Sequence, residues 1–168
     1  AIELQPEHLS LYGLTVEHGT RFGYLHGRGQ LAVPDEDAQA DMYVLAEELL
    51  AEAGYEHYEI SNFARVRRQS VHNRIYWENG EYLGLGCGAS SFLAGRRWAN
   101  LDRLDAYCGA IEAGRPPAAE DEALEGRRAL GESALLGLRL LEGLAWTEEL
   151  ESAFAGERRH IEARGWAV

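Results

Sequence analysis

Apolar residues fall along this chain with two different periods, and the alternation between them predicts its first elements. Residues 9–16 (LSLYGLTV), bounded by Pro6 and Gly19, form a short apolar run with the length of a buried strand. Tyr58, Ile60 and Asn62 alternate with polar neighbours, as a second strand should. Between them Met42, Leu45, Ala46, Leu49, Leu50 and Ala53 recur every three or four positions, which places them on one face of a helix. That helix has clear ends: Pro34 precedes it, Asp35 caps it, Glu36 and Asp37 occupy its first turn, and Gly54 follows its last. Strand, connection, helix, strand is the grammar of a βαβ unit, so a parallel pairing of the two strands is expected.

The remaining segments are less regular. Glu17, His18, Gly19 and Thr20 form a polar turn at the end of the first strand, where open α/β sheets and barrels place their sites. Either they serve function there or they are a charged loop in water. Residues 21–33 hold three glycines and read as an irregular excursion or lid. The stretch YLGLGCGASSF, from Tyr82 to Phe92, reads as a strand of small residues, and a turn at Gly95 predicts that the chain doubles back into a hairpin. Its glycines at 84, 86 and 88 do not form a dinucleotide loop, because no helix pattern opens after them. At Asn100 the composition shifts. Leu101, Leu104, Tyr107, Cys108 and Ile111 predict a short helix ended by Gly114, and GRPPAAED reads as a linker. From Asp121 a helical pattern runs through Leu124, Ala134, Leu135, Leu138 and Leu141 to Gly143. Thr147 caps another helix through Phe154 to Gly156, and a last one is expected around Ile161. Short helices in series can begin a winged-helix unit.

Composition narrows the classes of function. A length of 168 residues with 46% hydrophobic content suits a soluble globular chain. The formal net charge of −12 argues against nucleic acid as a partner. The local exception is Arg65, Arg67 and Arg68, which are either a solvated loop or partners for carboxylates. No apolar stretch is long enough to span a membrane, and the N-terminus has no secretion-signal pattern. Cys87 and Cys108 form no metal-binding spacing, and a reduced, cytoplasmic compartment is expected for so few thiols. The densest chemistry lies in HNRIYW: His72, Asn73, Tyr76 and Trp77 place an imidazole, an amide, a phenol and an indole within six positions. Such a group suits a flat, partly polar ligand. It also suits the edge of a core whose rings are buried and whose polar tips stay wet. His18, His26 and His57 are expected on the surface.

Taken together, HLSLYGLTVEHGT, the PDED helix start, GYEHYEISNFA, HNRIYW and YLGLGCGASSF resemble the C-terminal half of the radical-SAM proteins related to oxygen-independent coproporphyrinogen III oxidase, and among these the HemW-type heme chaperones. The resemblance covers nearly the whole chain. It implies an α/β fold, the C-terminal part of an incomplete parallel barrel over residues 1–99, followed by a small, mostly helical, partly winged-helix-like domain over residues 100–168. It implies heme as ligand, with His72 a possible iron ligand, Asn73 orienting it and Tyr76 and Trp77 flanking the macrocycle. In the related oxidase two strand ends touch S-adenosylmethionine, and they align with Thr15 and Ser90. Only main-chain contacts transfer, because the residue types differ, and HemW-type sequences often carry His where Ser90 stands. The CxxxCxxC loop that binds a 4Fe-4S cluster and the glycine-rich segment for S-adenosylmethionine are absent. The chain therefore reads as a fragment, with cluster and S-adenosylmethionine belonging to the full-length parent. The missing half of the barrel, heme or a porphyrin, and heme-accepting respiratory proteins are the implied partners. The alternatives are a fragment of the oxidase itself or a half-barrel without activity.

Overall fold

The structure, a computed structural model, describes residues 1–166, the side chain of Glu120 excepted. It divides into two compact units, Ala1–Ser70 and the chain from Val71 onward. The division expected between residues 99 and 100 falls inside the second unit, at the last residue of a strand.

The first unit holds a three-stranded sheet and two helices. Strands β1 (His8–Ser10), β2 (Glu56–Glu59) and β3 (Asn62–Ala64) lie in the order β1-β3-β2. Both ladders are antiparallel, with Leu9 opposite Phe63 and His57 opposite Phe63 on the other side. β1 and β2 therefore run in the same direction, as a βαβ unit requires, but the direct pairing expected of residues 9–16 with 58–62 is corrected, because β3 lies between them. The chain reverses at Ile60-Ser61, where the Glu59 carboxylate accepts the Ser61 N–H at 3.0 Å, and β3 then pairs with the start of the apolar run. That run is a strand for only three residues. Leu11, Tyr12 and Leu14 beyond it are exposed, since β3 offers no further partner.

Helix α1 (Arg21–Gly27) replaces the irregular excursion expected there. The Thr20 hydroxyl accepts the Gly23 N–H at 3.0 Å and so supplies an N-cap that composition concealed. Helix α2 (Glu36–Glu52) forms as expected, and the Asp35 carboxylate accepts the Ala38 N–H at 2.8 Å. Leu50 from α2 meets Tyr55 and Phe63 in the core of this unit, with Leu9 and Ala53 at its edge. Met42, Leu45 and Leu49 on the same helix remain exposed.

The second unit is built on α3 (Val71–Trp77), a sheet β4-β5-β6, and three further helices. Strands β4 (Ser90–Leu93), β5 (Arg96–Asn100) and β6 (Ala118–Ala123) are antiparallel. The hairpin expected at Gly95 is present: Ala94 and Gly95 have φ of 50° and 73°, the positive pair that a two-residue hairpin of type I′ requires. Only the end of YLGLGCGASSF is a strand. Tyr82 makes an isolated bridge to Phe92, and residues 83–89 loop between them. GRPPAAED was expected as a linker, but its last residues enter β6, so the helical reading from Asp121 is also corrected. Helices α4 (Leu104–Glu112), α5 (Gly126–Gly137) and α6 (Glu148–Glu162) follow. The Thr147 hydroxyl accepts the Leu150 N–H at 3.3 Å, and α6 bends at Phe154 rather than ending near Gly156.

Candidate functional site

The HNRIYW segment forms α3, a helix held by its own side chains and by its end. Arg74 pairs with Glu78 one turn on and with Glu142, each at 2.6 Å. Its guanidinium is held above its ordinary pKa chiefly by the hydrogen bond to Glu142 and also by Glu78, against the cost of burial. At the C-terminus Asn79 adopts a left-handed conformation with φ of 52°, and the Gly80 N–H returns to the Ile75 carbonyl at 2.7 Å. The Asn79 amide donates to the Ser133 hydroxyl of α5 at 2.7 Å, which fixes this end against the next helix.

Helical spacing then separates the four expected residues into two pairs. His72 and Tyr76 are one turn apart, as are Asn73 and Trp77, and the two pairs lie about 100° apart around the helix. The His72 and Tyr76 rings meet edge to face, 4.6 Å between centroids and 82° between planes. Tyr76 meets Tyr82 in the same manner at 4.4 Å and 90°. His72 is exposed at the open end of this row. Trp77 lies on the other side, its ring 6.5 Å from that of Tyr76 and covered by the Arg139 guanidinium at 4.1 Å. The buried Trp77 indole N–H has no hydrogen-bond partner among the described residues. Tyr82 and Arg139 were missed by sequence reasoning. Tyr82 had a signal, since it opens a motif already singled out, while nothing in the sequence pattern pairs Arg139 with Trp77.

The glycine-rich loop, residues 83–89, is pinned from within. The Asn100 amide, on a buried side chain, donates to the Gly84 and Gly86 carbonyls at 3.2 and 2.9 Å. The Gly84 N–H reaches the Ser91 hydroxyl at 3.0 Å, and the Gly86 N–H reaches the Tyr107 hydroxyl at 3.2 Å. At Gly84 a Cβ would collide with the Ser90 carbonyl oxygen, so the close approach expected of these glycines is to the protein's own backbone. Ser90 is exposed at the start of β4. Thr15, in the first unit, is exposed in residues 12–16, whose main-chain groups make no backbone hydrogen bond among the described residues. Thr15 and Ser90 belong to different units.

In the first unit GYEHYEISNFA builds a buried polar network. Glu59 and Asn62 are fully buried, the Asn62 amide donates to the Glu59 carboxylate, and the Ser10 hydroxyl donates to Asn62. The Tyr58 hydroxyl accepts the Ser70 N–H at 3.3 Å and is hydrogen-bonded to Nε2 of His8 at 2.9 Å. Burial holds the His8 pKa below its ordinary 6.5, against the opposing charge of Glu59. His57, expected on the surface, is half-buried. Its ring stacks on Phe63 at 4.2 Å and its Nδ1 lies 2.7 Å from the Glu47 carboxylate, so it is a packing residue. His18 and His26 are exposed as expected, and so is His160.

The cysteines bear on what this chain can hold. Cys87 and Cys108 are free and exposed, and two thiolates do not fit a cluster that needs three. Among the described residues no group of three or more His, Cys, Asp or Glu could hold a metal ion, and no helix is long and apolar enough to cross a membrane.

This architecture is that of a known class. The solved structure of coproporphyrinogen III oxidase from Escherichia coli, a radical-SAM enzyme, matches 98% of this chain and 42% of its own, with a TM-score of 0.73 and 16% sequence identity. The chain therefore has the fold of one part of a radical-SAM protein. No family model matches the sequence, but curated relatives do. The heme chaperone HemW of Lactococcus lactis is 40% identical over 153 residues, 91% of this chain, and HemW of Mycobacterium tuberculosis is 36% identical over 163 residues, 97% of it. By sequence the chain is similar to these heme chaperones over nearly its whole length. It spans about 40% of the length of those relatives.

Proposed function

We propose that this chain is the heme-handling part of a HemW-type chaperone, and that α3 carries the heme site. The observation that carries this reading is the exposed His72 imidazole at the open end of an edge-to-face aromatic row. A neutral imidazole is a common heme-iron ligand. His72 is the proposed iron ligand. Tyr76 lies beside it, Asn73 orients the ligand, and Trp77 supplies an indole on the adjoining face. A single axial ligand at the surface suits a carrier, because heme bound there stays open to an acceptor. In this reading residues 1–99 belong to the barrel of the parent protein and residues 100–168 to its helical part, and the whole acts in the cytoplasm.

The 4Fe-4S cluster does not fit the residues present, because Cys87 and Cys108 supply only two thiolates. In the full-length parent the cluster and S-adenosylmethionine are proposed to be held mainly by the other part of the barrel. The main chain at Thr15 and Ser90 would contribute to the S-adenosylmethionine contacts. The open main-chain groups around Thr15 support this for the first of the two. A second reading, that the parent decarboxylates coproporphyrinogen III, draws on the likeness of fold to the oxidase.

Heme transfer tests the proposal. The chain loaded with one equivalent of hemin is mixed with an apo heme protein whose holo form has a distinct Soret band. Transfer within minutes, at a rate that rises with acceptor concentration, is the expected result. Hemin that stays bound, or is lost at a rate independent of acceptor, would contradict a carrier role. Decarboxylation of coproporphyrinogen III by the full-length parent under anaerobic conditions would favour the second reading.

A further inference from the structure

We propose that Tyr82, which lies outside HNRIYW, is a positioning residue for the His72 imidazole and acts through Tyr76; this rests on the heme-site reading of α3. His72 sits in the first turn of a seven-residue helix and is exposed, so its ring has little surface of its own to settle against. The ring it meets is Tyr76, almost perpendicular at 82°. Tyr76 in turn meets Tyr82 at 90° and 4.4 Å. Tyr82 is the fixed member of the row. Its N–H donates to the Phe92 carbonyl at 2.8 Å and its carbonyl accepts the Phe92 N–H at 2.9 Å, and Phe92 is buried in β4. The row thus runs from a sheet-anchored phenol, through a helix-borne phenol, to the imidazole. Edge-to-face contact restricts the ring torsions of each neighbour and favours one imidazole plane. Trp77 also meets Tyr76 edge to face, at the longer distance of 6.5 Å and with Arg139 over its own ring, so the closer brace of Tyr76 is Tyr82. The consequence for function is a pre-oriented iron ligand, which lowers the ordering cost of binding heme.

The test uses hemin titration of the full chain together with electron paramagnetic resonance of the ferric complex, whose line width reports the spread of imidazole orientations. Tyr82→Leu keeps apolar bulk but removes the ring. It is expected to weaken hemin binding about two- to tenfold, the worth of one aromatic pair, and to broaden the resonance. Tyr82→Phe restores both, since the ring and not the hydroxyl is at work. Leu83→Ala, at the exposed neighbouring residue, leaves both unchanged. Wild-type affinity and line width in Tyr82→Leu, with binding lost in His72→Ala, would overturn the positioning role and leave the heme site standing. Unchanged binding in His72→Ala would remove the heme site, and this inference with it. Where Tyr82→Leu lowers the far-ultraviolet ellipticity, Tyr76→Leu takes its place: it breaks the row one ring earlier, and an unbroadened signal there overturns the proposal equally.

Discussion

His8 shows how one side chain ties this fold to pH. In the folded chain burial lowers its pKa from 6.5, so the neutral imidazole is favoured beside the Tyr58 hydroxyl. The unfolded chain therefore binds the proton more readily. Stability contributed by the neutral form is present above about pH 6.5 and is lost as pH falls through the lower, folded value. Melting temperature is accordingly expected to fall below pH 6.5, and His8→Asn to flatten that slope relative to wild type in thermal melts across a pH series. Equal slopes would mean that His8 does not titrate differently in the two states. Two further residues are expected to act through packing alone. Phe63, 2% exposed in the core of the first unit, should cost about 3–5 kcal/mol when changed to Ala. Gly84→Ala should lower the urea midpoint, because the added Cβ meets the Ser90 carbonyl and the loop that Asn100 clamps must shift. A neutral Gly84→Ala would show that this loop is not held as described.

Among the elements, α2 could be read from the sequence because its signals are local. Asp35 and the residues after it state where the helix begins, and the cap bond is present. Changing Asp35 to Ala should cost about 1 kcal/mol, measured by urea denaturation. The hairpin at Gly95 was equally legible. Its first turn residue, Ala94, has a φ of 50° that Asn tolerates better, so Ala94→Asn should raise stability by up to about 1 kcal/mol. The misread elements depend on partners far along the chain. An apolar run such as LSLYGLTV becomes a strand only where β3 covers it, and β3 covers no residue of it past Ser10. β6 escaped notice because AAEDEA has no large apolar residue, and its strand character comes from pairing with β5. The candidate site could be singled out from the sequence as a set of residues on one segment. Its division into a His72–Tyr76 face and an Asn73–Trp77 face follows from helix geometry, whereas Tyr82 and Arg139 enter only through tertiary packing.

For the whole molecule, the chain's reach is about 40% of its relatives' length, and exposed apolar residues are numerous. In the first unit Leu11, Tyr12, Leu14, Met42, Val44 and Leu45 all face solvent. Exposed apolar surface of this kind favours association. The isolated chain is expected to elute in size-exclusion chromatography at a volume that depends on concentration, and a sharp monomer peak with a cooperative melt would contradict this. Because two cysteines cannot supply three thiolates, anaerobic reconstitution with iron and sulfide should yield no stoichiometric 4Fe-4S cluster and no reductive cleavage of S-adenosylmethionine. The central claim is that His72 on α3 ligates heme, and hemin titration followed by the Soret shift and by Trp fluorescence quenching tests it most directly. His72→Ala is to be compared with alanine at the exposed His18, His26 and His160. Loss of most of the Soret shift in His72→Ala alone, with the fold retained by circular dichroism, is the result expected. Equal loss at all four positions, or unchanged binding in His72→Ala, would contradict the claim.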